Sequence, residues 1–129
     1  MMNTTIQEGI KISVKVSFRP DLSDFIKNTY FFNYLIDITN TTNESVQLIS
    51  RHWEIFDSLN DSSIVEGMGV IGEQPIIHPG KSFDYMSGCE LYSDMGSMKG
   101  NYRFISLKTG EFFTVDIPEF QLIFPTRLN

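Results

Sequence analysis

The chain has 129 residues, 41% hydrophobic and 20% charged, which suits one folded domain and excludes a disordered composition. Sixteen acidic against ten basic residues give a net charge of −6, which disfavours nonspecific binding to nucleic acid or to an anionic membrane. Residues 1–9 are polar, contain no apolar core of a secretory signal, and are expected to form a flexible N-terminal segment.

In chain order, Ile12, Val14, Val16 and Phe18 alternate with Lys11, Ser13, Lys15 and Ser17, the period of a half-buried strand. Pro20, Asp21 and Asn28 interrupt the pattern. A second run over 29–39 places Tyr30, Phe32, Tyr34, Ile36 and Ile38 on one face and Phe31, Leu35 and Thr39 on the other, as in a central strand. Asn40 to Glu44 is a polar loop suited to a hairpin. A third run, Ser45 to Asp57, puts Ile49, Trp53 and Ile55 on one face and Val46, Leu48, His52 and Phe56 on the other.

Ser62 to Glu66 has room for only a very short strand. Pro79-Gly80 is a tight-turn dipeptide, because Pro presets its own φ and Gly tolerates a positive one. A strand over 82–87 follows. Gly88, Gly96 and Gly100 then punctuate an expected loop containing Cys89, Met95 and Met98. Strands near 101–108 and 111–117 flank Thr109-Gly110 as a short hairpin, and a last strand over 120–124 follows Pro118. No stretch sustains a helical apolar period, so short strands at this spacing predict an all-β sandwich or barrel, with no repeat or linker dividing the chain.

Residues 67–72, Gly-Met-Gly-Val-Ile-Gly, match the G-x-G-x-x-G fingerprint of dinucleotide binding. That motif works between a strand and a helix, where the helix N-terminus faces the phosphates. Here Pro75 follows within three positions of Gly72, and Glu66 and Glu73 flank the segment with like charge for an anion. A Rossmann assignment is therefore untenable. Gly67, Gly69 and Gly72 stand either as a phosphate-cradling loop or as a glycine bulge where backbones approach closely.

Arg51-His52-Trp53 sends Arg51 and Trp53 to one face and His52 to the other. Trp53 is a core candidate, and Arg51 an anchor for an ion pair or an anionic group. His52 and His78 lack the neighbours that a metal site requires, so no metal ligand is assigned. Cys89 has no base fixed beside it by spacing, no Ser lies in G-x-S-x-G, and no catalytic residue is assigned. As the single cysteine it cannot form an internal disulfide, which suits a reducing, cytoplasmic compartment.

The ordered set Arg51-His52-Trp53, Gly67 to Pro75, Pro79-Gly80, Phe83 to Gly88, Gly96 to Tyr102 and Ile117 to Phe120 resembles the ApaG family, over essentially the whole chain from about Ile12 to Asn129. The resemblance implies one domain spanning 1–129, with an immunoglobulin- or fibronectin type III-like antiparallel β-sandwich. It also implies protein–protein interaction, because members stand alone in bacteria and are appended to eukaryotic F-box proteins and a polymerase-associated protein. The family is linked to cobalt and magnesium homeostasis, and pyrophosphate binding through the motif at Gly67, Gly69 and Gly72 has been proposed for it. No catalytic residues carry over, and no cofactor is implied. The fibronectin likeness casts Tyr102 as a corner tyrosine, its hydroxyl capping nearby backbone at the start of its strand. Expected partners are thus a protein of unknown identity or, alternatively, a nucleotide or pyrophosphate, with neither nucleic acid nor membrane. A homodimer is compatible with the sequence.

Overall fold

The computed structural model describes residues 2–125. Nine strands and one 3₁₀ turn follow one another: β1 (Met2–Gln7), β2 (Ile10–Phe18), the turn Pro20–Leu22, β3 (Tyr30–Asn40), β4 (Val46–Asp57), β5 (Ser63–Met68), β6 (Ile76–Ile77), β7 (Ser82–Leu91), β8 (Met95–Ser106) and β9 (Phe112–Ile123). They form a four-stranded sheet in the order β1-β2-β3-β7 and a five-stranded sheet in the order β5-β4-β8-β9, with β6 also paired to β4. Every pairing is antiparallel. The two sheets face each other as an immunoglobulin/fibronectin type III-like β-sandwich, as the strand spacing and the family resemblance predict.

The alternation in β2 and β3 translates directly into packing. Ile10, Ile12 and Val14 are buried, and so are Phe32, Tyr34, Ile36 and Ile38. β3 is central as expected, paired with β2 on one side and β7 on the other. Trp53 lies at the middle of the core, with its ring centroid 5.5 Å from Tyr34 and 5.8 Å from Phe120 in edge-on contacts.

Elsewhere the structure departs from strict alternation. In β4 the register shifts between Leu48 and Ser50, so Ile49 is an extra residue. A bulge of this kind reverses which side chains face inward. Hence Val46 and Leu48 share the core face with Trp53 and Asp57, while Phe56 is exposed. The expected grouping of Val46 and Leu48 with His52 and Phe56 holds only on each side of the bulge separately.

The loop expected over 88–100 is instead the end of β7, a short connection and the start of β8. Glycine misleads there because it serves close approach rather than a turn. A Cβ on Gly88 would strike the Phe31 ring, and one on Gly100 would strike the His52 carbonyl. Likewise the two strands expected over 111–117 and 120–124 are one, β9, with a register shift at Met98/Gly100 that places Pro118 and Glu119 together opposite Lys99. Proline fits such a bulge because the ladder demands no N–H from it.

Two connections also differ. Residues 40–45 join strands of different sheets and form no hairpin. Asn40, fully buried, organises this crossing: its Nδ2 donates to the carbonyls of Glu44 (2.8 Å) and Ile77 (2.9 Å), and its Oδ1 accepts from Thr42 N–H (2.9 Å). The expected flexible segment 1–9 is ordered over Met2–Gln7 as β1, joined to β2 through Glu8 (φ 54°) and Gly9 (φ 73°); Met1 lies outside the described residues. An edge strand needs few apolar residues when its ladder and side chains are satisfied. Here Thr4 bonds Ser13 at 3.1 Å, and Asn3 Nδ2 reaches the Glu119 carbonyl of β9 at 2.7 Å.

Candidate functional site

The glycine segment is a hairpin bound to β4. β5 pairs with β4 in register, placing Gly67 opposite Arg51 and Met68 opposite Ser50. Gly69 then turns with φ 64° and donates its N–H to the Ile49 carbonyl at 2.7 Å. Val70 N–H donates to the Glu73 carbonyl (2.8 Å) and Glu73 N–H to the Val70 carbonyl (2.9 Å). Ile71 (φ 43°) and Gly72 (φ 77°) close this two-residue loop, both with positive φ in the sense of a type I′ turn. A β-branched residue rarely occupies that region, so Ile71 is a strained position. Val70 is buried and pins the hairpin to the core.

Each glycine has a local reason. A Cβ on Gly69 would collide with the Glu73 carbonyl. On Gly67 it would meet both terminal nitrogens of Arg51 at 2.8 Å, because the guanidinium lies across that bare backbone. Arg51 Nη1 donates to the carbonyls of Met68 (3.2 Å) and Gly69 (2.8 Å). Gln74 Nε2 adds a bond to the Ile49 carbonyl at 3.0 Å. The bulge at Ile49 thus serves as the anchor of the whole segment. No helix follows: the chain passes into β6.

Beside Gly67, on the outer face of the five-stranded sheet, lies an open groove of about 580 Å³. Ser50, His52, Asn101, Arg103 and Thr114 line it, with Arg51, Glu66 and Met68. Antiparallel register builds this face: Ser50 opposes Arg103, which opposes Thr114, and His52 opposes Asn101. His52 Nδ1 lies 2.8 Å from Glu66 Oε1, and its Nε2 3.8 Å from Glu54 Oε2. Arg103 rests its guanidinium 3.9 Å from the Phe112 ring centroid. Arg51 and Trp53 do share a face opposite to His52, as alternation predicts. Alternation around Tyr102 and Phe104 could also have marked Asn101 and Arg103 as outward polar residues. What the sequence does not announce is that Ser50, Thr114 and the glycine segment meet them.

The remaining chemical candidates are scattered. His78 Nδ1 pairs with the Ser45 hydroxyl at 2.8 Å in the connection between β6 and β7, whereas His52 lies within β4. Among the described residues no group of three His, Cys, Asp or Glu is placed to hold a metal ion. Cys89 lies in β7 rather than in a loop and is buried; that burial, with the charges of Asp57 and Glu90, pushes its thiol up to about 11. Such a thiol carries little thiolate at neutral pH. Tyr102 sits within β8, and its hydroxyl pairs with that of Tyr85 between the sheets instead of capping backbone. Burial raises both phenols. Asp57 is buried too. Desolvation would raise its carboxyl, but bonds from the Ser93 hydroxyl and from Tyr92 N–H (2.7 Å) outweigh that and hold it low. Among the described residues no helix is long and apolar enough to cross a membrane.

Comparison with known proteins gives a consistent result. The family model described as the ApaG domain matches residues 20–106. Protein ApaG of Bdellovibrio bacteriovorus is 44% identical over 129 residues, covering 100% of both chains. Protein ApaG of Beijerinckia indica is 40% identical, covering 96% of this chain and 95% of its own. The crystal structure of an ApaA protein from Bordetella pertussis superposes with a TM-score of 0.86 at 40% identity, covering 90% of this chain and 94% of that one.

Proposed function

The chain belongs to the ApaG family, and on that premise we propose that it is a non-enzymatic protein–protein interaction module of the cytoplasm, any part it has in cobalt and magnesium homeostasis being exerted through its partner. The supporting observation is the exposure of Ile64, Val65, Met68, Ile71 and Ile76 along one side of the sandwich. Exposed apolar side chains gathered on the two strands, β5 and β6, that pair with the same edge of β4 favour a binding role over random scatter. The reactive side chains are, by contrast, committed elsewhere. Arg51 holds two carbonyls, His52 holds Glu66, and Cys89 and the tyrosine pair are buried. Affinity capture from lysate with the full chain, followed by mass spectrometry, tests this reading. Recovery of no protein above background across several conditions counts against it.

A second reading is a nucleotide or pyrophosphate site that uses Gly67, Gly69 and Gly72. In its favour, Arg51, Arg103 and His52 line the groove beside Gly67. Against it, the N–H groups of Gly69, Val70 and Glu73 are already donated within the chain, and Glu66 stands in the groove. Calorimetry with pyrophosphate, ATP and GTP, with and without Mg²⁺, decides. Binding weaker than about 1 mM, roughly −4 kcal/mol, removes the reading.

A further inference from the structure

We propose that β5 is a docking edge for an extended segment of a partner protein, which adds to the five-stranded sheet beside β5 and carries a basic side chain with an apolar one two residues away on each side. This rests on the interaction-module reading and specifies its surface and the chemistry of its partner.

A sandwich of two sheets has four lateral edges, and exposed edges invite strand addition unless they are guarded. Here β1 and β9 guard each other. Asn3 Nδ2 donates to the Glu119 carbonyl (2.7 Å), Thr5 Oγ1 to the Asp116 carbonyl (3.3 Å), and Asp116 N–H to Gln7 Oε1 (2.6 Å). The β7 edge carries two exposed acids, Asp84 and Glu90. β5 is not tied to a facing edge as β1 and β9 are, carries one acid where β7 carries two, and exposes three apolar side chains within six residues. It contains no Lys, Arg or Pro, and Ile64, Val65 and Met68 are 64%, 41% and 66% exposed. Its one charged residue, Glu66, shares a hydrogen bond with His52 through Oε1 (2.8 Å) while its side chain stays 67% exposed.

The ladder shows which groups face outward. Gly69 N–H bonds the Ile49 carbonyl, and the register runs in step through Gly67 opposite Arg51 and Val65 opposite Trp53. In an antiparallel ladder the bonded residues alternate, so Ile64, Glu66 and Met68 turn their peptide groups toward the open edge. The Met68 carbonyl is held by Arg51, which places the docking register at Ile64 and Glu66. Side chains directly opposite one another on one face interact. An incoming strand therefore meets Ile64, Glu66 and Met68 with apolar, basic and apolar side chains. Val65, on the inner side, favours a small apolar neighbour.

Charge selects a partner over a second copy. The chain carries −6, so it attracts a cationic segment and repels itself. Self-pairing centred on Glu66 would also set two carboxylates directly opposite each other.

The test titrates the ¹⁵N-labelled full chain with the capped heptapeptide TVSKVIT, whose second, fourth and sixth residues face Met68, Glu66 and Ile64. Saturable amide shifts confined to residues 63–69 and their β4 neighbours are expected, with a Kd below 1 mM. Glutamate in place of the peptide's lysine should weaken binding at least tenfold, and Glu66→Lys in the protein should reverse that preference. Ile64→Lys, a guarded edge, should abolish the shifts while its spectrum remains that of a folded chain. No shifts up to 5 mM, equal response to both peptides, or a concentration-dependent dimer abolished by Ile64→Lys would overturn the proposal. Capture from lysate separates the two levels. A partner held equally by the wild type and by Ile64→Lys sinks the β5 edge and leaves the module reading standing. Peptide binding at β5 without any captured partner supports the edge and counts against the module reading.

Discussion

The glycine hairpin predicts an ordered series of stabilities. Gly69 has φ 64°, and a Cβ there collides with the backbone carbonyl of Glu73, which is fixed by its bond from Val70 N–H. For Gly69→Ala, left-handed strain costs about 1–2 kcal/mol. Displacing the carbonyl weakens a hydrogen bond worth about 1 kcal/mol. Reduced freedom of the unfolded chain returns about 0.4–1 kcal/mol. The net loss is about 2 kcal/mol. Gly72 has φ 77° but open space around its added Cβ, so Gly72→Ala loses only the strain less the entropy return, about 0.5–1 kcal/mol. Gly67 has no positive φ, and its Cβ meets only the movable end of Arg51, so Gly67→Ala costs at most about 1 kcal/mol in weakened carbonyl bonds. Ile71→Asn runs the other way, because Asn-Gly suits two positive φ values; it should stabilise by about 0.5–1 kcal/mol. Urea unfolding at neutral pH measures all four variants. A Gly69→Ala protein within about 0.5 kcal/mol of wild type, with Gly72→Ala the most damaged, would refute the assignment of this motif to hairpin geometry.

Three further outcomes follow from buried polar groups. Asn40→Ala removes four bonds, to the Glu44 and Ile77 carbonyls and from the Thr42 N–H and hydroxyl, and should cost about 3–4 kcal/mol by denaturant unfolding. At alkaline pH stability should decline: Tyr85, Tyr102 and Cys89 have folded-state values above their unfolded ones. Their contribution is complete below about pH 9 and lost as pH rises, at up to about 1.4 kcal/mol per pH unit for each group, so a flat urea midpoint from pH 8 to 11 contradicts it. Asp57 behaves oppositely. Its folded value is lowered, so its contribution is present above the unfolded value near 4 and lost as pH falls; Asp57→Asn should flatten the midpoint curve between about pH 5 and 3.

Where strands are regular, the fold is legible in the sequence. β2 and β3 alternate without interruption, and every even-numbered apolar position predicted inward is buried or half-buried. Errors arise where local signals carry two meanings. Glycine marks a turn at Gly80 (φ 75°) but close approach at Gly88 and Gly100, and only the neighbours Phe31 and His52 distinguish the cases. Proline at 118 breaks the written pattern yet leaves β9 continuous, because a bulge removes the need for its missing N–H. The phase reversal at Ile49 has no local marker. It is set by bonds arriving from Gly69 and Gln74, distant in sequence.

The candidate site shows the same limit from the side of function. The letters of G-x-G-x-x-G recommend backbone donors free for phosphate, and the flanking Glu66, Glu73 and Pro75 argue against that within the sequence itself. What those donors do instead depends on the partner strand. Gly69 N–H meets the Ile49 carbonyl, and Val70 and Glu73 satisfy each other. The same residues then acquire a different significance. By fastening the chain to β4 they hold β5 in the sheet, with Ile64 and Met68 on its outer face and its far edge open. A motif without a helix thus shapes an edge, and strain at Ile71 lies at the end of that edge. Composition alone would have assigned Ile64, Val65 and Met68 to the core. Among the described residues twenty-two other hydrophobic residues fill that core, so it does not lack side chains, and the exposure of these three makes β5 an apolar edge.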